Sequence, residues 1–297
     1  MNRLLCAVLL VSLSTPAIIH AQAKPPSQYQ LQDDLNALKG GPPAPGSTPA
    51  KPLTPAERPD KIAALAAEIN LFPAGPKKVN FALELALLST QGDPHKENIQ
   101  AVTDTLSTAL TESPVSGKKG KPAPPYMELA RLVHYAHMTT TVTDPQLADA
   151  ISILTANDES VAKADFTLTD LNNKKVTLSG LRGKIVLVNF FSLACMSCQK
   201  EIADLNLIYA HYQSQGLVIL SITDDDIRPV GAFAERNKIT YPILFDRLHQ
   251  ASDAFHVENK PRDFVFDRDG KLVGQSIDMM TQQQIFTMLA RAGLKPQ

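Results

Sequence analysis

Residues 184–191 read Lys184-Ile185-Val186-Leu187-Val188-Asn189-Phe190-Phe191, an apolar, β-branched run that predicts a buried strand. Directly after it stand Ala194-Cys195-Met196-Ser197-Cys198-Gln199-Lys200-Glu201, and then a helical pattern in which Leu205, Ile208 and Tyr209 repeat on one face. Two cysteines three apart therefore sit where a strand hands over to a helix. The N–H groups of the first helical turn point at the first sulfur, and the helix dipole adds partial positive charge. Both favour the thiolate, so the thiol pKa is expected below its ordinary value of about 8.5. Cys195, at the helix start, is the expected attacking thiolate. Cys198, one turn in, is the expected shielded resolving thiol. A static disulfide seldom spans two residues at a helix start. A zinc site needs two more ligands at matching spacing, and the chain has no second cysteine pair.

What such a pair does depends on its compartment. Arg3, an apolar stretch over 4–13, Pro16 and the small-x-small run Ala21-Gln22-Ala23 form the pattern of a secretory signal, with cleavage expected after Ala23. The apolar stretch is short of the roughly 20 residues that span a membrane. Cys6, the third of three cysteines, lies inside the signal. The mature chain then carries only Cys195 and Cys198, which points to redox catalysis in a periplasmic or other extracytoplasmic setting. A formal net charge of −1 gives no electrostatic case for nucleic acid or an anionic membrane surface.

The 297 residues leave room for two domains. Residues 24–59 are rich in Pro, Gly and Ala and predict an extended linker, interrupted by one amphipathic piece with Leu31, Leu35 and Leu38 at helical spacing. Residues 60–157 predict an all-helical domain of stacked hairpins. Its stripes include Ile62, Leu65 and Ile69, then Val79, Leu83 and Ala86, with Asp93-Pro94 and Asp144-Pro145 as helix starts. His134 and His137, expected on one helix spanning 126–137, lack the further ligands of a metal site. From 164 onward the period becomes that of an α/β unit. A hairpin around Asn172-Asn173, strands over 184–191, 217–222, 242–245 and 263–266, a second hairpin turned by 267–270 and a closing helix over 281–292 are predicted. Asp224-Asp225-Asp226 follows the second of these strands and reads as an exposed loop.

With these pieces in order, residues 164–297 resemble the exported thioredoxin-fold proteins of the TlpA/ResA type, within the redoxin group. The resemblance rests on Phe166-Thr167-Leu168, Leu181-Arg182-Gly183-Lys184, Val188-Asn189-Phe190-Phe191, Cys195-Met196-Ser197-Cys198 with Lys200-Glu201, and Lys260-Pro261 before the strand at 262–267. It implies a mixed central sheet flanked by helices, and a cis bond at Pro261 that sets the Lys260 backbone beside the sulfurs. There an extended substrate segment would pair main chain to main chain. Helical spacing leaves Glu201 open to the inward face or to a surface edge. The resemblance implies the inward face, where a raised pKa lets it take or return the proton of Cys198. The position at which thioredoxin keeps a buried Asp is Asn189 here. Ala194 and Phe191 stand where the family carries aromatic and Trp residues, and Met196-Ser197 lacks the usual proline. These departures bear on the redox balance of the pair.

The leading expectation is an exported thiol–disulfide oxidoreductase that reduces disulfides of periplasmic proteins and is itself re-reduced by a membrane thiol donor. It needs no cofactor beyond the Cys195–Cys198 disulfide, and no metal. A thiol peroxidase with an antioxidant role is the enzymatic alternative. It asks for Ser192 at its offset from Cys195 and for Arg262 as cationic partner, but no proline precedes Ser192 in that loop. A binding protein is the third reading, either a copper carrier using His256 or a partner-binding module built on the helical domain. Deleting 24–157 is expected to leave disulfide exchange intact and to weaken activity on a native partner.

Overall fold

The computed structural model describes residues 25–39, 53–54, 56–90, 96–276 and 278–295. The signal pattern, most of the Pro-rich stretch and the Asp93-Pro94 helix start lie outside the described residues. Six helices come first: α1 (Gln28–Lys39), α2 (Arg58–Leu71), α3 (Pro76–Ser89), α4 (Lys96–Glu112), α5 (Pro124–His134) and α6 (Pro145–Lys163). Helix α3 packs on α4 and α5 on α6, as stacked hairpins do. Leu31, Leu35 and Leu38 of α1 are buried in the same core as Ile62, Leu85, Leu106 and Leu129. So α1 is part of the helical unit rather than an interruption in a tether. Its leucines at three- and four-residue spacing need an apolar partner, and α2 and α3 supply it.

Two helix ends differ from their sequence reading. Helix α5 opens at Pro124 rather than at 126, because the N–H groups of a first helical turn have no intrahelical partner to lose. The helix stops at His134, and His137 lies beyond it with a left-handed φ of 58°. The two histidines therefore share no helical face.

The remaining chain forms β1 (Thr167–Asp170), β2 (Lys175–Thr177), β3 (Ile185–Phe190), α7 (Met196–Tyr212), β4 (Leu217–Thr223), α8 (Ile227–Arg236), β5 (Ile243–Phe245), α9 (Gln250–Ala254), β6 (Arg262–Phe266), β7 (Leu272–Gln275) and α10 (Gln282–Arg291). The strands make one sheet in the order β2-β1-β5-β4-β3-β6-β7. This is the thioredoxin-like fold, a mixed sheet with helices on both faces. Strand β3 is central, parallel to β4 and antiparallel to β6, and all six of its residues are buried. A strand covered on both faces has no reason to alternate, which is why 185–190 reads as a continuous apolar run. Ile185 and Leu187 face α7 and α10. Val186, Val188 and Phe190 face the opposite layer, with Phe255, Phe264 and Phe266.

Helix α6 runs to Lys163, through the interval between the two predicted domains. Its Val161 is buried in the core of the sheet domain, against the Val186 face. Contacts between the helical and sheet domains are polar as well. Gln275 Nε2 donates to Asp158 Oδ1 at 2.6 Å, Arg131 lies 3.3 Å from Glu258, and the Arg262 guanidinium stands 5.3 Å from the centre of the Tyr135 ring.

Candidate active site

The five residues from Phe191 to Cys195 carry the chain from β3 to α7, and Cys195 is the N-cap of that helix. It caps with sulfur: the Cys198 N–H donates to Cys195 Sγ at 3.1 Å. A positive helix end and a backbone donor therefore meet at the sulfur, the arrangement that stabilises a thiolate. Cys195 and Cys198 are joined in a disulfide with an S–S length of 2.01 Å. Cys195 is half-buried and Cys198 fully buried, packed with Phe191, Ile202 and Phe233. Ser197 Oγ lies 3.3 Å from Cys195 Sγ, and Met196 stands exposed beside it.

Two loops hold this turn in place. Asp225 accepts the Leu193 N–H at 2.6 Å and the Thr223 hydroxyl at 3.0 Å, tying the residues before the cysteines to the end of β4. The acidic triplet is thus more than an exposed loop. Asp224 pairs with the Lys260 ammonium, and only Asp226 is left largely in solvent. The Lys260–Pro261 peptide bond is cis, and the Lys260 carbonyl oxygen lies 3.5 Å from Cys195 Sγ.

Beneath Cys198 the side chains are unexpectedly acidic. Strand register sets Ser221 of β4, Asn189 of β3 and Asp263 of β6 side by side in one row across the sheet. Alternation turns this row toward α7, where Glu201 sits one turn after Cys198. Asn189 Nδ2 donates to Asp263 Oδ1 at 2.9 Å and to Glu201 Oε2 at 3.2 Å, while its own Oδ1 accepts from Ser221 Oγ at 3.1 Å. The Met280 N–H donates to Glu201 Oε1 at 2.8 Å. All four side chains of the cluster are buried. Burial, and then the neighbouring Asp263 charge, push the Glu201 carboxyl well above the ordinary range. Burial pushes Asp263 up to about 6, against the pull of Asn189 and Glu201. Asp263 Oδ2 has no hydrogen-bond partner among the described residues, which leaves it open to a proton shared with Glu201. Two buried carboxyls with raised pKa values thus sit together beneath Cys198.

The sequence reading reached Cys195, Cys198, Glu201, Lys260 and Pro261, and the fold gathers them around one sulfur pair. It missed Asp263 and Asp225. Asp263 was visible as an acidic residue opening an apolar strand, but only the register sets it opposite Asn189. The side chains asked for by a peroxidase are engaged with other partners. The Ser192 hydroxyl accepts the Ala194 N–H at 3.2 Å, and the Arg262 guanidinium is committed to the Ser276 carbonyl, Gln275 and the Tyr135 ring. His256 lies with Lys260 along the wall of the cleft between the domains.

Comparison with known proteins bears on the same half of the chain. Residues 161–275 match the model of the AhpC/TSA family. The thiol–disulfide oxidoreductase ResA of Geobacillus thermodenitrificans is 36% identical over 122 residues, which cover 41% of this chain and 70% of the relative. ResA of Bacillus subtilis is 31% identical over 135 residues, covering 44% of this chain and 75% of the relative. Among solved structures, a thiol:disulfide interchange protein of the thioredoxin family from Chlorobium tepidum is 22% identical, with a TM-score of 0.41 over 43% of this chain and 92% of that one. StoA from Bacillus subtilis is 20% identical, with a TM-score of 0.38 over 42% of this chain and 96% of that one.

Proposed function

The chain belongs to the ResA family of thiol–disulfide oxidoreductases, and on that premise we propose that it works outside the cytoplasm as a reductant of disulfides in exported proteins. The observation that carries this reading is the asymmetry of the sulfurs: a half-buried Cys195 capping a helix and a Cys198 sealed beneath it. In the dithiol form the Cys195 thiolate attacks one sulfur of a substrate disulfide, and the other substrate sulfur leaves as a thiolate. Cys198 then gives up its proton, attacks Cys195 and releases the second substrate sulfur, leaving the Cys195–Cys198 disulfide. Glu201 is the acceptor nearest in the chain to Cys198. Passing its own proton to Asp263 frees it to take the next one, so the carboxyl pair acts as a two-station relay. The Lys260 carbonyl offers a main-chain acceptor beside Cys195 for an extended substrate segment.

The secretory pattern of residues 1–23 supports export, and no described helix is long and apolar enough to cross a membrane. A membrane thiol donor is the proposed source of electrons. The test is exchange on a disulfide-bonded protein with a dithiol donor. Cys195→Ser should abolish turnover, and Cys198→Ser should accumulate a mixed disulfide with the substrate. Equilibration of the pair against defined thiol buffers gives the direction. A potential near that of thioredoxin, roughly −270 mV, supports the reductant, whereas one near roughly −120 mV makes the protein an oxidant.

A further inference from the structure

We infer that the cleft between the helical and thioredoxin-like domains is a docking channel for the substrate polypeptide flanking its reactive cysteine, and that Glu128 on α5 receives a basic side chain of that segment. The inference rests on Cys195–Cys198 being the exchange centre.

Position comes first. A cleft of about 470 Å³ has Ser197 and Lys260 at its disulfide end and Glu128, Arg131 and Tyr135 in its far wall. A second depression of about 420 Å³ shares Leu87, Met127, Glu128, Arg131, Ile153 and Glu258 with it and carries the groove on to Pro124. A substrate cysteine bonded to Cys195 lies next to this channel, and the chain on one side of it has the groove as its continuation.

The walls suit a polypeptide. Leu87 and Ile153 are 45% and 39% exposed, two of the few large apolar side chains so placed among the described residues, and both line the groove. The floor holds an unmet carboxylate. Glu128 is 2% exposed, yet its Oε1 has no hydrogen-bond partner among the described residues. Its Oε2 has only a 3.4 Å contact with Arg131, which divides itself with the exposed Glu258 at 3.3 Å. Leaving a buried acceptor unsatisfied is costly, and a charge-assisted hydrogen bond from an entering ammonium or guanidinium removes that cost. Two other cations of the cleft are engaged, and Lys121 stands exposed at the far end of the groove, beside Pro122 and Pro124. Lys260 is paired with Asp224, and Arg262 is held by Gln275, Ser276 and the Tyr135 ring.

The test uses the full chain carrying Cys198→Ser and a set of single-cysteine peptides, each activated as a mixed disulfide with thionitrobenzoate. The peptides differ only in Lys, Ala or Glu at successive positions on either side of the cysteine. On one side, Lys is expected to exceed Glu in rate of capture by about tenfold, the equivalent of about 1.4 kcal/mol. Glu128→Gln is expected to bring that ratio close to one. Equal capture of all peptides, or a Lys preference that survives Glu128→Gln, overturns the inference. A photoreactive residue next to the peptide cysteine gives a second readout that needs no change at Glu128. Adducts on Leu87, Met127 or Ile153 support the channel, and adducts confined to the sheet domain overturn it. Failure of the unsubstituted protein to reduce even a small symmetrical disulfide would instead overturn the redox reading beneath it.

Discussion

Asp263 is the residue that changes how the active site is understood. An inward-facing Glu201 was expected from the family resemblance, its spacing leaving both faces open, but a second buried carboxyl 62 positions further along the chain was not. Nothing in the local sequence around either residue reports the other. They meet because β3 and β6 pair in a register that sets Asn189 opposite Asp263. Its pKa of about 6 gives two expected outcomes. As a proton sink Asp263 must be ionised, so release of substrate from the mixed disulfide should accelerate as pH rises through about 6. In Asp263→Asn that step should slow and the rise through about pH 6 should disappear; stopped-flow release kinetics between pH 4 and 8 read both. The second outcome is thermodynamic. A carboxyl whose folded pKa is raised contributes most below its unfolded value near 4, and that contribution is lost as pH rises through about 6. Urea unfolding of the oxidised protein should therefore show stability falling from pH 4 to pH 8, with Asp263→Asn removing about 2 to 3 kcal/mol of the fall.

At the scale of elements, most of what the chain does was legible. Stripes at 3.6-residue spacing marked the helices, and the unbroken apolar run marked the central strand, because in each case the burial pattern is written locally. What was not legible is how loops meet. Asp224-Asp225-Asp226 looks like solvated charge, and only the fold brings Asp225 under the Leu193 N–H and Asp224 to Lys260. Asp225→Ala is expected to cost about 1 to 3 kcal/mol by leaving a donor unmet, and to slow exchange by loosening the turn that carries Cys195. Asp225→Asn, which keeps an acceptor, should recover most of both losses; paired urea titrations and exchange rates check it. The ends of α5 carry a similar lesson. A pair of prolines reads as a stop but serves equally as a start, and the outcome depends on whether N–H groups are needed at that point.

For the whole molecule, the relation between the two domains was the least legible feature. Their interface is built from single residues scattered across α5, α6, β6 and β7, with no motif to announce them. Asp158 is its hub, accepting from His134 at 2.7 Å, Tyr135 at 2.9 Å and Gln275 at 2.6 Å. Asp158→Ala should weaken the coupling by about 1 to 3 kcal/mol. In urea, a far-ultraviolet signal dominated by the helical domain and exposure of the buried Cys198 thiol of the reduced protein should then separate into two transitions. The unsubstituted protein should show one.

Arg262 bears on how this chain can be taken apart. By strand it belongs to the catalytic domain, one residue after the proline beside the sulfurs. By contact it also reaches the helical domain, through Tyr135. Val161 has the converse allegiance, carried by α6 but buried in the catalytic core. A chimera that joins residues 164–297 to a foreign partner thus inherits a cation stripped of its stacking ring and a core missing one side chain. Deleting 24–157 spares Val161 but strands Arg262. The graft that tolerates separation should cut before Val161 and carry Arg262→Thr, and its midpoint of thermal unfolding should exceed that of the cut at 164 by several degrees, as about 2 kcal/mol implies for a domain of this size.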